Sequence, residues 1–439
     1  MINLGKLTKL LLILSLIWII IDGVFRKWLL PGLSTPLFAV KYVLFTLTYV
    51  SHFFKTNFRF PALNRVYQLF IIILIIWCLL SLLNPIYKPG WLINITGLIN
   101  YLFFIPLTFI IPHYFTSLTF FEKTIRFIAY ISIPIYIIGI MQYYLPVDHI
   151  LNYLPNEEQK FTKVAEFTRS NSIFSFVKVY NVYLTFTTTL FFGYLFYLYQ
   201  KNKSGLLYII LVLFGILSQF MTGSRLPLGL MFVSFIVISM YIFFNISSLR
   251  KTIVVSSVVG IITLLVVFNL STTFNTAINS FISRVEFTEH VAKQGVEGYS
   301  TEDRIIDKLT IFKFSEEAGF MGFGIGTTYQ GTGFYLNKKR PDIKFEEEGE
   351  RIVLELGIIG GIILILLRWS LFQFSLFSLL KSKFINISIL KLVFLLLIIP
   401  PILFLNSTTF NYIDGFFYWL CFSFILALNK IELNLLNNP

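Results

Sequence analysis

Apolar runs of about 18 residues or more recur from one end of the chain to the other, separated by short polar stretches. A helix rises about 1.5 Å per residue, so each run can cross a hydrocarbon core about 30 Å thick. Twelve spans are predicted, at about 7–25, 36–54, 66–83, 92–111, 125–145, 179–199, 206–221, 226–244, 252–270, 352–372, 387–405 and 411–428. Two connections break this rhythm: about 146–178, and roughly 80 residues at 271–351. A connection of that length without spanning capacity has structure and work of its own. The chain thus divides into residues 1–270 with spans 1–9, the large loop 271–351, and residues 352–439 with spans 10–12. The pattern is that of an all-α polytopic membrane protein.

Composition agrees. Of 439 residues, 56% are hydrophobic and 13% charged, about half the ~25% charge of a soluble domain. Fifty Phe and 23 Tyr exclude a disordered chain. Cys78 and Cys421 both lie inside apolar runs, which leaves no basis for a disulfide or Cys-based zinc framework. Lys6 and Lys9 precede the first run as in a signal peptide, but no small-residue cleavage site follows. The run ends instead at Asp22, Arg26 and Lys27, and a retained helix is expected. Asp22 and Arg26, at i and i+4, suit a helix-end ion pair.

The net charge of +13 matters through its placement. With both termini assigned to the cytoplasm, the inside set holds 16 Lys and Arg, Arg368 among them, against Glu122 and Glu432, a net of +14. The remaining 19 basic and 20 acidic residues fall outside, a net of −1. The whole excess is therefore a positive-inside signal, and no nucleic-acid partner is required.

Candidate chemistry gathers on the outer side. Met221-Thr222-Gly223-Ser224-Arg225 is expected on a tight turn between spans 7 and 8. Arg225 there suits a lipid headgroup or diphosphate, because its fork donates two parallel hydrogen bonds; the plainer alternative is an arginine snorkelling to the interface. In the large loop, residues 301–317 keep helical apolar spacing and are predicted as an amphipathic helix on the membrane surface. Gly322-Phe-Gly324-Ile-Gly326 follows, with neither dinucleotide nor P-loop spacing; a turn is expected, its amides a candidate anion nest. The run Glu346, Glu347, Glu348, Glu350 is either a solvated acidic face or a source of a base at headgroup level, with Arg351 as counter-ion or phosphate contact. Glu355 lies one turn deeper, where an ionisable group is functional or paired. His52, His113, His149 and His290 are scattered without metal-ligand spacing. No Asp-x-Asp motif occurs, and no cofactor is expected.

At these residues the chain resembles the O-antigen ligase and polymerase superfamily of bacterial membrane glycosyltransferases. The matching features are Thr222-Gly223-Ser224-Arg225 opening a span, a large outer loop with Arg304 ahead of Gly322-Phe-Gly324-Ile-Gly326, and Glu355-Leu356-Gly357-Ile358-Ile359-Gly360 opening the next span. Their order covers roughly residues 200–375. The resemblance implies a lipid-dependent, GT-C-type glycosyltransferase of the bacterial plasma membrane. Such an enzyme moves a glycan from a polyprenyl-diphosphate-linked oligosaccharide to an acceptor glycan on the outer face, beside other polysaccharide-assembly proteins. Arg225 and Arg304 match the family's diphosphate-binding arginines. The family often has a histidine nine residues before the acidic residue of its E-x-G motif, and here that position is Glu346 (355 − 9). Glu346 or its neighbour Glu348 is then expected to serve the acceptor hydroxyl, and the missing histidine favours a polymerase over a ligase. A transporter of the same lipid-linked substrate is the competing class; it would carry broken helices and charges at mid-membrane depth.

Overall fold

The computed structural model describes residues 4–57, 65–84, 90–154, 163–164, 167–251, 282, 309–329, 343, 345 and 347–437. Span 9 at 252–270, Arg304, Glu346 and His290 lie outside the described residues. The helices are α1 (Leu4–Val24), α2 (Ser34–Lys55), α3 (Arg65–Ser81), α4 (Trp91–Leu102), α5 (Leu107–Tyr114), α6 (Leu118–Tyr144), α7 (Val177–Gln200), α8 (Leu206–Thr222) and α9 (Arg225–Asn245). After the large loop come the single-turn α10 (Ser315–Ala318), α11 (Glu348–Leu380), α12 (Ile385–Ile402) and α13 (Tyr412–Asn437). The described strand pairing is a two-residue antiparallel contact, Lys163–Val164 with Phe167–Thr168.

Eight of these helices are long and apolar enough to cross a membrane, or nine if α4 and α5, bent by 43°, count as one broken span. The protein is a multi-pass helical membrane protein. Burial separates the centre from the rim. In α7 and α13, 83% of the spanning window is buried, against 33% in α1, α2, α6 and α9, whose outer faces present Leu, Ile, Phe and Val to lipid. Several polar groups inside the bundle find partners, as lipid demands: Ser15 meets Thr48 (3.2 Å), Ser132 meets Tyr183 (2.8 Å), and Tyr136 meets Thr187 (2.6 Å).

The helix ends sort into two sets. At one end Lys55 meets His113 (3.3 Å), Lys201 pairs with Glu122 (2.6 Å), Lys430 donates to the Pro112 carbonyl (3.2 Å), and Lys391 pairs with Glu432. At the other, the Trp28 indole donates to Ile150 (3.1 Å), the Trp77 indole to Leu356 (2.9 Å) and Asn84 to Gly322 (2.9 Å). The first set joins charges that the sequence grouped on one side of the membrane. The expected surface helix at 301–317 does not run through its described part: residues 311–314 form turns before α10.

Candidate functional site

The outer part of α11 is folded back on itself. At Gly357 the backbone adopts φ 71°, ψ −176°, a region open essentially to glycine alone. A straight helix would hold Glu348 and Arg368, 20 positions apart, about 30 Å from each other, yet Arg368 Nη1 donates to Glu348 Oε2 at 3.1 Å. The arms 348–356 and 358–380 must therefore lie side by side, and Val353 indeed packs at Gly361. The open ends at the reversal are satisfied by the glycine-rich segment before it. Leu354 and Glu355 carbonyls accept from Phe323 N (2.7 Å) and Gly324 N (3.1 Å), and Ile358 N donates to Gly319 O (3.1 Å). A reciprocal cap between Glu347 and Glu350 closes the first turn.

Glu348, one of the two expected acceptor-serving carboxylates, is engaged within the protein. Its Oε1 accepts from Thr409 N (2.8 Å), Thr409 Oγ1 (3.0 Å) and Thr408 Oγ1 (3.1 Å), while Oε2 takes Arg368. The carboxylate is buried with its acceptor capacity filled, which suits an anchor and leaves no room for a sugar hydroxyl. Arg368 also donates to Pro401 O (2.8 Å) and Thr408 Oγ1 (2.6 Å), so it belongs with the outer chain and not with the inner charges. Glu350 is buried too, 3.4 Å from Lys313. The acidic run is thus no solvated strip where it is described.

Glu355 organises the glycine-rich loop: its Oε1 accepts from Thr328 N (2.9 Å) and Thr328 Oγ1 (2.7 Å). The loop amides that hold an anion hold the protein's own Glu355, through Gly326 N and Thr328 N, while the amides of Gly322, Phe323, Gly324, Thr327 and Tyr329 donate to backbone carbonyls. The loop lies directly on α4, where a Cβ at Gly97 would come within 2.7 Å of Gly326 N. Arg351 stands between Phe345 (5.3 Å) and Phe410 (5.1 Å), and its buried Nε has no hydrogen-bond partner. It is clamped by rings and pairs with no acid among the described residues; Glu346, the first member of the acidic run, lies outside them.

A second cluster at the same end was not anticipated in full. Arg26 and Lys41 approach Asp22 at 3.7 and 3.6 Å, so the expected Asp22–Arg26 pair is present with a third member. Lys41 is fully buried between Phe38 and Tyr412, and its Nζ has no hydrogen-bond partner. Lys27 is buried as well and donates to Asn171 Oδ1 (2.9 Å) and Ser172 O (2.6 Å). Asp22 is thus shared by Arg26 and Lys41, while Lys27 beside them is held separately by residues 171–172. Tyr329, at the end of the glycine loop, lies within electrostatic reach of Tyr42 and Tyr412 beside Lys41. Burial pushes the Tyr329 phenol above its ordinary pKa, so it remains a hydroxyl donor at neutral pH.

One segment joins this cluster to the Thr222–Arg225 turn. Arg26 donates to Ser175 Oγ (3.0 Å), Lys27 holds 171–172, and Arg169 donates to Thr222 O (3.1 Å) and Ser224 Oγ (2.9 Å). Gln142 of α6 fixes the segment, accepting from Asn171 N and Ser172 N (3.1 and 2.6 Å) and donating to Ser172 O (2.9 Å). Arg225 opens α9 directly after Ser224, partly buried. Sequence reasoning passed over Arg169, Gln142 and Lys41, although a Gln and a Lys inside apolar runs are the signal that would have found two of them. Compared with protein families and with characterised proteins, the sequence matches no family and no individual protein.

Proposed function

We propose that the protein is a membrane glycosyltransferase that polymerises the repeat units of a surface polysaccharide, drawing on a polyprenyl-diphosphate-linked oligosaccharide. The observation that carries this is the surplus of buried positive charge at one end of the bundle, Arg26, Lys27 and Lys41 against Asp22, continuous through residues 169–175 with the turn at Arg225. A diphosphate leaving group is the kind of ligand such a surplus suits.

In this proposal an acceptor hydroxyl attacks the anomeric carbon of the donor while the bond to the diphosphate oxygen breaks and its electron pair leaves with the lipid diphosphate. Fixed cations, with Arg225 and Arg304 foremost, stabilise that developing charge. The hydroxyl proton passes to a carboxylate, for which Glu346 is the candidate now that Glu348 is engaged by Arg368. Arg351, held between two rings, is the further cation we assign to the donor or acceptor. The site would face the outside of a bacterial plasma membrane, in a twelve-span GT-C-type chain with both termini in the cytoplasm.

Two observations favour a second reading, a transporter of the same lipid-linked oligosaccharide: the break between α4 and α5, and the buried Glu348–Arg368 pair inside α11. One experiment separates the classes. Purified protein is incubated with a lipid-linked oligosaccharide and the products are resolved by mass. Longer lipid-linked chains are expected; transfer to another acceptor would make it a ligase, and an unaltered donor would remove the enzyme reading.

A further inference from the structure

A cavity of about 750 Å³ opens at the end of the bundle opposite the glycine-rich loop. Its walls come from α3, α5, the inner arm of α11, α12 and α13, and it runs from Ser370 to Lys381, about 16 Å along the helix. Three lysines, Lys381, Lys391 and Lys430, stand in its lining with one acid, Glu432. Glu432 is already taken, since it pairs with Lys391 and accepts from Ser382 Oγ and Lys383 N. Lys381 and Lys430 are exposed and have no ion pair with an acid among the described residues; Lys430 donates to the Pro112 carbonyl and lies within electrostatic reach of His113. Deeper in, the Tyr67 hydroxyl is buried without a hydrogen-bond partner. The remaining wall is apolar and opens sideways to lipid past exposed Phe377, Leu433 and Leu436.

We propose that this cavity is a binding site for a phospholipid with an anionic headgroup, the phosphate at Lys381 and Lys430 and an acyl chain along Phe377 and Leu433. Charge complementarity selects the headgroup: the uncompensated cations sit at the rim, where a phosphate ester of the adjacent leaflet lies. The apolar sideways mouth selects a lipid over a soluble anion, because a free phosphate has no use for a wall of Phe and Leu. This site is independent of the outer chemistry and stands or falls without it.

The test uses the full-length protein in neutral detergent, titrated with phosphatidylglycerol, with phosphatidylcholine, or with inorganic phosphate, while intrinsic fluorescence and the thermal midpoint are followed. Phosphatidylglycerol should bind roughly ten-fold or more tightly than phosphatidylcholine. The pair Lys381→Ala and Lys430→Ala should erase that preference, whereas Lys383→Ala with Lys251→Ala, which removes two exposed charges outside the cavity, should keep it. Gln373→Trp leaves every charge in place but fills the groove, and should also abolish binding. Equal affinity for both lipids, the same response to inorganic phosphate, or equal losses in the two lysine pairs would each overturn the proposal.

Discussion

Removing Glu348 should cost the fold more than it costs any chemistry, and the structure allows the size to be worked out. At 3.1 Å from Arg368 and an effective dielectric of about 20, the Coulomb attraction is about 5 kcal/mol. Desolvation of both groups offsets part of that in the intact protein, but a single deletion leaves Arg368 charged, buried and unpaired, a loss of about 3–5 kcal/mol. Glu348→Ala should therefore lower unfolding stability by that amount, measured by reversible denaturation in mixed micelles. The double variant Glu348→Gln with Arg368→Met keeps an acceptor for Thr409 N and removes the stranded cation. The Pro401 carbonyl, which keeps Phe404 N, and Thr408 Oγ1 then each lose a donor, at about 0.5–1.5 kcal/mol apiece, so the double variant should be more stable than Glu348→Ala alone. A Glu348→Ala loss below about 1 kcal/mol, or a double variant no better than the single, would refute the idea that this pair locks the folded-back arm.

The reversal itself is testable at Gly357, where a Cβ would lie 2.2 Å from the Phe320 carbonyl oxygen: Gly357→Ala should destabilise by at least ~1–3 kcal/mol, and a Val353→Cys, Gly361→Cys pair should oxidise to a disulfide, which a straight helix forbids at about 12 Å. Arg225→Ala and Arg304→Ala should each abolish polymer formation at unchanged protein abundance, with Lys a poor replacement because it lacks the bidentate fork; polymer at normal length in both would remove the diphosphate assignment. Glu346→Gln should slow transfer ~10²-fold or more with stability unchanged, the reverse of the pattern expected at Glu348; full activity in Glu346→Gln discards the carboxylate base. Lys41→Met leaves Asp22 paired with Arg26 and should change stability little while weakening donor binding by ~10-fold or more, the scale of one charge-assisted hydrogen bond; donor affinity that tracks stability instead would make the cluster purely structural.

The membrane class and most helix positions were legible because a lipid-facing helix needs an unbroken apolar run, and periodicity and length report that directly. What the sequence hid was geometry inside the runs. The stretch after Glu348 reads as one long apolar span, and nothing in its hydropathy marks the turn at Gly357; the Phe323 and Gly324 amides that donate to its freed carbonyls come from a segment about 30 positions earlier. Arg368 was counted with the inner charges because a straight helix would carry it there, and the reversal instead delivers Glu348 to it. Glu355 was legible as a group needing a partner, but its partner, Thr328, required the fold. Likewise Gln142 shows in sequence only as a polar residue near a helix end, whereas its place under residues 171–172 depends on how two distant connections meet.

Depth gives the two halves of the bundle different characters. Arg368 stands 12 positions from Leu380 (380 − 368), about 18 Å above the inner end of α11, and Pro401 is 16 positions from Ile385 (401 − 385), about 24 Å above the start of α12. The Glu348 arm and the connection at Thr408–Thr409 therefore meet within the thickness of the hydrocarbon core, where every buried polar group must find protein partners. A polar floor sunk to this level lets a headgroup descend to fixed cations while its lipid tail stays in the bilayer. Below that floor rings pack where α6, α7, α12 and α13 meet, Phe394 against Phe424 (5.0 Å), Phe121 against Phe424 (5.2 Å) and Tyr194 against Tyr197 (5.1 Å), while the lysine-rimmed cavity lies on the α3–α5 side. Alternating access would require those rings to part, whereas transfer between two substrates that both arrive from outside requires only the upper half to be open. Under the proposed function, that is the division of labour expected: chemistry at one face, with no passage through the bundle.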